Sequence, residues 1–236
     1  MCASGLPTTS PPMMQPADDV TAPRTRRRDK LGPDPAVRRE ILNAASITLR
    51  EYGVRGFGVA AVLERAGLST RAFYRHFASK DELIAAVFLE TARVEKRRLR
   101  RRMGRATTEI EAVAAWIDGR LDLAFDDSIG ADLRRLSQEA QSQMFASPVL
   151  VQPAYAEILE PLSHALERGL DNGVFHHIDP VTDARFIHGV VWAGIDRQWT
   201  ASDCDRDDLR RRIMRFCLGG LGVAPEAIER ICFTNS

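Results

Sequence analysis

Two arginines and a threonine that could contact a polyanion lie within six positions of the sequence. An arginine can donate two parallel hydrogen bonds to a phosphate or to the edge of guanine, and Arg71 and Arg75 are one helical turn apart. Thr70 precedes them, and Phe73 and Phe77 fall on the opposite side of the same predicted helix, towards a core. A short helix that exposes Thr and Arg at its N-terminal end suits the DNA major groove. The same spacing also fits an αα-hairpin in a generic bundle.

A tight turn must position this short helix. The turn Ala66-Gly67-Leu68-Ser69 separates a predicted helix over Val59–Ala66 from the next one, over Thr70–His76. Gly67 allows the tight turn, Leu68 is an apolar plug between the two helices, and Ser69 is a good N-cap. The pattern therefore predicts a helix-turn-helix.

Helical periodicity continues from Asp34 nearly to the end of the chain, and no strand-period segment exceeds a few residues. We predict an all-α fold of about nine helices. Two of these are the helices already described. A first helix ends near Gly53, and a fourth is capped by Ser79 and reaches about Met103. The others are predicted around Ile110–Phe125, up to about Phe145, from Pro148 to Asn172-Gly173 with a kink or division at Pro161, and over about Val181–Trp199 and Asp205–Gly219.

The composition excludes several classes of protein. The 236 residues are 44% apolar and 28% charged, typical of a globular protein, and the longest apolar run, Gly189 to Ile195, is too short for a membrane span. The four scattered cysteines form no zinc pattern, so we expect free thiols, no metal and no cofactor in a cytoplasmic protein. The absence of GxSxG, Walker, HExxH and GxGxxG motifs predicts that the chain is not an enzyme.

The charge is distributed unevenly along the chain. Residues 1–80 carry 13 Lys/Arg and 7 Asp/Glu, whereas the remainder is mildly acidic. Residues 1–33 contain six prolines and almost no periodic apolar residues, so we expect a disordered tail. Its basic cluster could lie along nucleic-acid phosphates or simply be solvated: Arg24, Arg26, Arg27, Arg28 and Lys30.

Three segments resemble the DNA-binding region of TetR-type transcriptional regulators. These are residues 39–45 (REILNAA), 66–77 (AGLSTRAFYRHF) and 79–83 (SKDEL), with Tyr52-Gly53 between the first two. The resemblance implies an Ω-shaped homodimer that binds a palindromic DNA operator and responds to a small-molecule effector. It divides the chain into a tail (1–33), a DNA-binding domain (34–80) and a helical domain for ligand sensing and dimerisation (81–236).

The resemblance also assigns roles to residues of the helix-turn-helix. Thr70, Arg71 and Arg75 would face the groove, while Tyr74, His76 and Lys80 would contact backbone phosphates. Two positions depart from the family pattern. Phe57-Gly58 stands where a hydroxyl residue usually caps the second helix, and Leu63 replaces a residue that is usually a small alanine.

The resemblance places an effector cavity among the central helices. Candidate lining residues combine apolar walls with a few polar groups: Trp116, Arg120, Phe125, Met144, Phe145, Tyr155 and His164. Each of them could equally be a core residue. Arg120 and Tyr155 stand out because a buried guanidinium or phenol needs a hydrogen-bond partner, which a ligand could supply. The basic run Arg97–Arg102 ends the fourth helix, where it suits the helix dipole and solvent.

The last two predicted long helices carry more apolar residues than a two-helix hairpin can bury. A twofold contact with a second subunit would cover them, and an intramolecular core is the alternative. The residues are Phe186, Val190, Trp192, Gly194, Ile195, Trp199, Leu209, Ile213, Phe216, Cys217 and Leu221. The favoured function is a repressor that a small molecule releases from DNA. The alternative is a DNA-binding helical protein, architectural or constitutive, that senses no ligand.

Overall fold

The computed structural model describes residues 34–127, 129 and 131–233, and all regular structure in this part of the chain is helical. The all-α prediction is confirmed. The helices are α1 (Pro35–Gly56), α2 (Val59–Ala66), α3 (Thr70–His76), α4 (Lys80–Met103), α5 (Glu109–Phe125), α6 (Ala131–Ala146), α7 (Pro148–Asp171), α8 (Pro180–Ala201), α9 (Arg206–Gly220) and α10 (Pro225–Phe233). None of these helices is long and apolar enough to cross a membrane. The predicted tail with its basic cluster lies outside the described residues.

The predicted end of the first helix near Gly53 coincides with a break in its helical geometry. Gly53 adopts φ 63° and ψ 179°, and beyond this bend α1 continues only to Gly56. Helix α7 is not divided at Pro161, which lies inside it and is buried. Because α7 packs against α4, α5, α6 and α8, tertiary contacts hold the helix together where proline removes one backbone hydrogen bond.

The described residues form two apolar cores. The first joins α1–α4 and is completed by residues from α6 and α7: Leu136, Leu150, Val151 and Ala154. The second lies among α5 and α7–α10, with Leu99 of α4, and is centred on large buried side chains such as Trp116, Leu121 and Phe175. Helix α6 thus contacts α1 and α4, and α7 contacts α4, so both helices reach the core on which the helix-turn-helix rests.

Helix α10, which the periodicity did not predict, covers much of the surface expected to be free on α9. It packs on α9 through Ile228, and Arg210 of α9 donates to the carbonyls of Ile231 and Cys232. Several residues of the predicted dimer face are buried in the second core of the same chain: Trp192, Gly194, Ile195, Ile213, Cys217 and Leu221. Phe186 and Phe216 remain 65% and 70% exposed.

Three arginines at the basic end of α4 are paired with acidic residues, whereas Arg97 and Arg101 are exposed to solvent as predicted. Asp122 of α5 accepts from Arg98 and Arg102 of α4 and from Arg206 of α9, at 2.6–3.3 Å. Arg100 contacts Glu160 of α7 at 2.7 Å. Sequence periodicity along α4 cannot reveal these partners, because they come from other helices.

The end of α7 packs closely against the turn that follows it, and this contact allows the second core to be tested. A Cβ atom at Gly169 would overlap the ring of Phe175, which is fully buried. We expect Gly169→Ala to lower the free energy of unfolding by about 1–3 kcal/mol, because the ring has no space to move into. Urea denaturation measures this change. Glu167→Ala, at an exposed position of the same helix, is the control and should stay within about 0.5 kcal/mol of the native chain.

Candidate nucleic-acid interface and interior pocket

The turn between α2 and α3 has the geometry that the sequence predicts. Gly67 adopts the left-handed conformation (φ 64°, ψ 31°), and the Leu68 amide donates to the carbonyl of Leu63 at 3.0 Å. The Ser69 hydroxyl accepts from the Ala72 amide at 3.3 Å and so caps α3. These local hydrogen bonds fix where α3 begins and how it leaves the turn.

The inner side of α3 is anchored by two aromatic rings. Phe73 and Phe77 are 1% and 2% exposed, and their rings stack with centroids 6.0 Å apart. The guanidinium of Arg38 from α1 lies 5.1 Å from the centroid of the Phe77 ring. Burial of both rings against α1 and α4 holds the opposite side of α3 towards solvent.

The outer side of α3 presents positive charge. Thr70, Arg71, Tyr74 and Arg75 are all exposed, and Tyr74 is 67% exposed. Helix α3 contains no acidic residue, and within residues 34–127 and the other described segments neither Arg71 nor Arg75 forms an ion pair. Both guanidiniums are therefore free for phosphate or base contacts.

The start of α4 places a further cation beside α3. The Ser79 hydroxyl accepts from the Glu82 amide at 3.1 Å and caps α4, and the Glu82 carboxylate accepts from the amide of Ala78, the residue before the cap, at 2.6 Å. Lys80 is half-buried, with its Nζ 5.9 Å from the centroid of the Phe57 ring. His76 is also half-buried, and none of the described residues pairs with its Nδ1.

The two departures from the family pattern have visible structural consequences. Gly58 caps α2 through its backbone alone, without a side-chain hydrogen bond. Phe57 is instead buried and takes part in the contact with Lys80. Leu63 is 6% exposed and contributes to the core beneath the helix-turn-helix.

A contact between α6 and α1 escaped the sequence analysis. The Glu139 carboxylate accepts from the Val54 amide at 3.0 Å, at the bend of α1, and lies where a side chain at Gly53 would begin. Nearby, Arg50 of α1 pairs with Asp132 of α6 at 3.2 Å. The partners are more than 80 residues apart, so no local pattern could have indicated them.

A narrow pocket lies between α4, α5, α6, α7 and α8, with a cavity volume of about 30 Å³. Its walls are mainly apolar, and its lining includes Phe88, Thr91, Ala92, Glu95, Arg120, Leu133, Leu136, Ser137, Ala140, Ala154, Tyr155, Ile158 and Trp192. Of the candidate ligand residues, the structure brings Arg120 and Tyr155 to this pocket.

The other five candidate ligand residues lie elsewhere. Trp116 is fully buried and donates from Nε1 to the Ile158 carbonyl at 3.2 Å, so it supports the pocket wall from behind. Phe125 and Met144 are half-buried and do not line the pocket. Phe145 is 90% exposed and His164 is also exposed. The chemistry of these side chains selected them from the sequence, but it could not give the direction in which they point.

The pocket also contains a buried ion pair. Arg120 donates from Nη1 to Glu95 at 3.0 Å, and both side chains are almost inaccessible to solvent. The Tyr155 hydroxyl donates to Gln141, and burial raises the pKa of Tyr155 to about 12, so the phenol is neutral.

His188 of α8, which the sequence analysis did not select for the pocket, packs against Tyr155 with ring centroids 5.1 Å apart. Burial, with a further contribution from the charge of Arg120, lowers the pKa of His188 to about 3. Its imidazole is therefore neutral at physiological pH. A lone histidine on an apolar helix face gave no signal by which to choose it.

Comparisons with known proteins connect this geometry to a family. Residues 41–87 match the model for bacterial regulatory proteins of the tetR family. The chain is 34% identical over 88 residues to the HTH-type transcriptional regulator BetI of Brucella anthropi, a match that covers 37% of this chain and 45% of BetI. It is 28% identical over 180 residues to the A-factor receptor protein of Streptomyces griseus, a match that covers 74% of this chain and 59% of that protein. The chain thus spans about half the length of these relatives.

The fold of the chain is also similar to that of solved structures. The structure of RolR in complex with resorcinol superposes with a TM-score of 0.61 at 20% identity, covering 84% of this chain and 94% of RolR. The matched segment 41–87 contains α2, α3 and the start of α4, which carry the exposed cations described above. Residues 41–87 are thus similar to the helix-turn-helix region of bacterial regulatory proteins of the tetR family.

Proposed function

We propose that the chain is a homodimeric repressor that binds a palindromic DNA operator and is released when a small molecule binds the interior pocket. The observation that carries the proposal is the outer side of α3. It exposes Arg71 and Arg75 on a helix without acidic residues, and buried Phe73 and Phe77 hold it in place. A rigidly mounted, unpaired pair of guanidiniums is suited to guanine edges and phosphates in a major groove.

Recognition of a palindrome requires two copies of α3 related by twofold symmetry. Helices α8 and α9 offer the surface for this pairing, since Phe186 and Phe216 are exposed on neighbouring helices and a Cβ atom at Gly189 would meet open space. Gly194, in contrast, faces Leu209 and Ile213 of the same chain. An isologous contact over Phe186 and Phe216 would cover this apolar surface.

Helix α6 lines the pocket and also contacts α1, which packs against the helix-turn-helix. A cavity of about 30 Å³ has room for one or two water molecules, so a larger molecule must displace its walls. Leu136 and Ala140 of α6 line the pocket, and Glu139, between them, accepts from the Val54 amide of α1. Movement of α6 would therefore act on α1 and reorient α3. A ligand that prefers the displaced state weakens operator binding. The resorcinol complex of RolR supports a small molecule as effector in a related fold.

Selection of bound duplexes from a random pool, followed by affinity measurements at several salt concentrations, tests DNA recognition. We expect a palindromic consensus that is bound far more tightly than random DNA and by two chains per duplex. Absence of any enrichment would contradict the proposal. The alternative, a regulator that senses no ligand, predicts the same consensus but no small molecule that changes its affinity.

The selected duplex then distinguishes base reading from phosphate anchoring. We expect Arg71→Ala to cost about 1–3 kcal/mol of specific binding and to relax the preference at one base pair, because the exposed guanidinium reads a base edge. Lys80→Ala should weaken binding to all sequences alike and reduce the salt slope by about one. Fluorescence anisotropy on the consensus and on random duplexes measures both. Identical behaviour of the two variants would contradict this division of roles.

The dimer surface can be tested without DNA. We expect Phe216→Glu to raise the dimer dissociation constant by about a hundredfold, because each subunit then carries a charge into the apolar contact. Sedimentation velocity across a concentration series measures the change. Phe145→Glu is the matched control, since Phe145 is 90% exposed but lies at the end of α6. Equal dissociation constants for the two variants would exclude Phe216 from the interface.

A further inference from the structure

The pocket contains a guanidinium with incomplete hydrogen bonding. Arg120 is 3% exposed and donates from Nη1 to Glu95, while no other described residue accepts from its Nε. A buried N–H without an acceptor destabilises the protein unless another molecule supplies one. Because Arg120 lines the pocket, a ligand there can reach it.

The charges around Arg120 do not balance. Both oxygens of Glu95 already accept from Arg98, at 2.8 and 2.9 Å, so one buried carboxylate faces two guanidiniums. The next carboxylate, Asp122, accepts from Arg98, Arg102 and Arg206. Burial lowers the pKa of Arg120 despite the contact with Glu95, and the nearby charge of Arg98 lowers it further.

A second set of unpaired polar atoms adjoins the pocket. His188 is 8% exposed, and no described residue pairs with either of its ring nitrogens. The ring packs between Tyr155 and Trp192, both of which line the pocket, at centroid distances of 5.1 and 6.3 Å. As a neutral imidazole, His188 offers one donor and one acceptor beside the Arg120 guanidinium.

The remaining walls of the pocket select for hydrocarbon. Phe88, Leu133, Leu136, Ile158 and Trp192 surround the polar groups, and the only other side-chain oxygens belong to hydroxyls or to the occupied Glu95. A cation would be repelled by Arg120, and a neutral amide would leave the excess positive charge uncompensated. An anion attached to an apolar body compensates the charge of Arg120 and also packs against the apolar walls.

We propose that the effector is a small apolar organic acid whose carboxylate pairs with Arg120 and whose hydrocarbon part packs among Phe88, Ile158 and Trp192. This inference rests on the proposed function, in which a small molecule binds the interior pocket. His188 contributes a hydrogen bond to the same end of the ligand. The charge pair with Arg120 determines which molecules bind. The volume of the hydrocarbon part displaces α6, and this displacement lowers operator affinity.

Isothermal titration calorimetry of the full chain near neutral pH tests the proposal with matched probes. The probes are benzoate, 4-phenylbutyrate and decanoate, each compared with its primary amide, which has nearly the same shape and no charge. We expect at least one acid to bind about tenfold or more tightly than its amide. Equal affinities, or no binding of any acid at about 5 mM, would overturn the proposal.

Arg120→Gln tests the assigned partner. Glu95 keeps its two hydrogen bonds from Arg98 in this variant, so we expect it to fold, as circular dichroism checks. The preference for acid over amide should fall below about threefold, whereas Arg105→Gln, an exposed cation beyond the end of α4, should retain the native preference. A native preference in Arg120→Gln would overturn the proposal. If that variant does not fold, Arg120→Lys takes its place and must reduce the preference by at least about threefold.

Operator binding by the same preparations separates this inference from the proposed function. Specific operator binding combined with equal affinity for acids and amides contradicts only the organic-acid inference. Acid binding by a chain that selects no DNA sequence contradicts the proposed regulator and leaves the ligand chemistry intact.

Discussion

The core beneath the helix-turn-helix depends on side chains that come from outside it. Leu136 of α6 and Leu150, Val151 and Ala154 of α7 are buried with the aromatic and aliphatic residues of α1–α4. Helices α1–α3 are too few to bury a sufficient apolar core alone. The orientation of α3 therefore depends on where α6 and α7 lie, and this dependence gives an interior pocket a route to the proposed DNA-binding surface.

Helix α6 has two roles in this arrangement. Its inner side forms part of the pocket wall, and Glu139 reaches the bend of α1 at Val54. Helix α4 has less freedom, because its C-terminal half is tied to α5 through Asp122 and to α7 through Glu160. Ionic contacts thus tie the α4 wall of the pocket to α5 and α7, whereas the wall that carries Leu136 and Ala140 is tied to α1 through Glu139 and Asp132.

Local patterns predicted the helix-turn-helix closely. Gly67, Ser69 and the N-cap at Ser79 act on residues within four positions, so the bounds of α3 could be read from the sequence. The exposed side of α3 followed from the burial of Phe73 and Phe77.

The pocket was less predictable because its contacts join distant segments. Arg120 and Tyr155 were identified from the cost of burying polar groups, but His188 gave no signal, and Phe145 proved to be on the surface. Helix α10 was missed as well. This helix is short, and the buried Arg210 of α9 helps to hold it in place. Arg210 pairs with Asp118 at 2.6 Å and donates to two carbonyls of α10.

The operator affinity of Glu139→Ala tests the central claim, that α6 controls α3 through α1. The variant removes the carboxylate at Val54 without touching α3 or the pocket lining. We expect operator affinity to fall by about tenfold or more, while Gln138→Ala, an exposed neighbour on α6, keeps the native affinity. Equal affinities for the two variants would show that α6 does not control the DNA-binding surface.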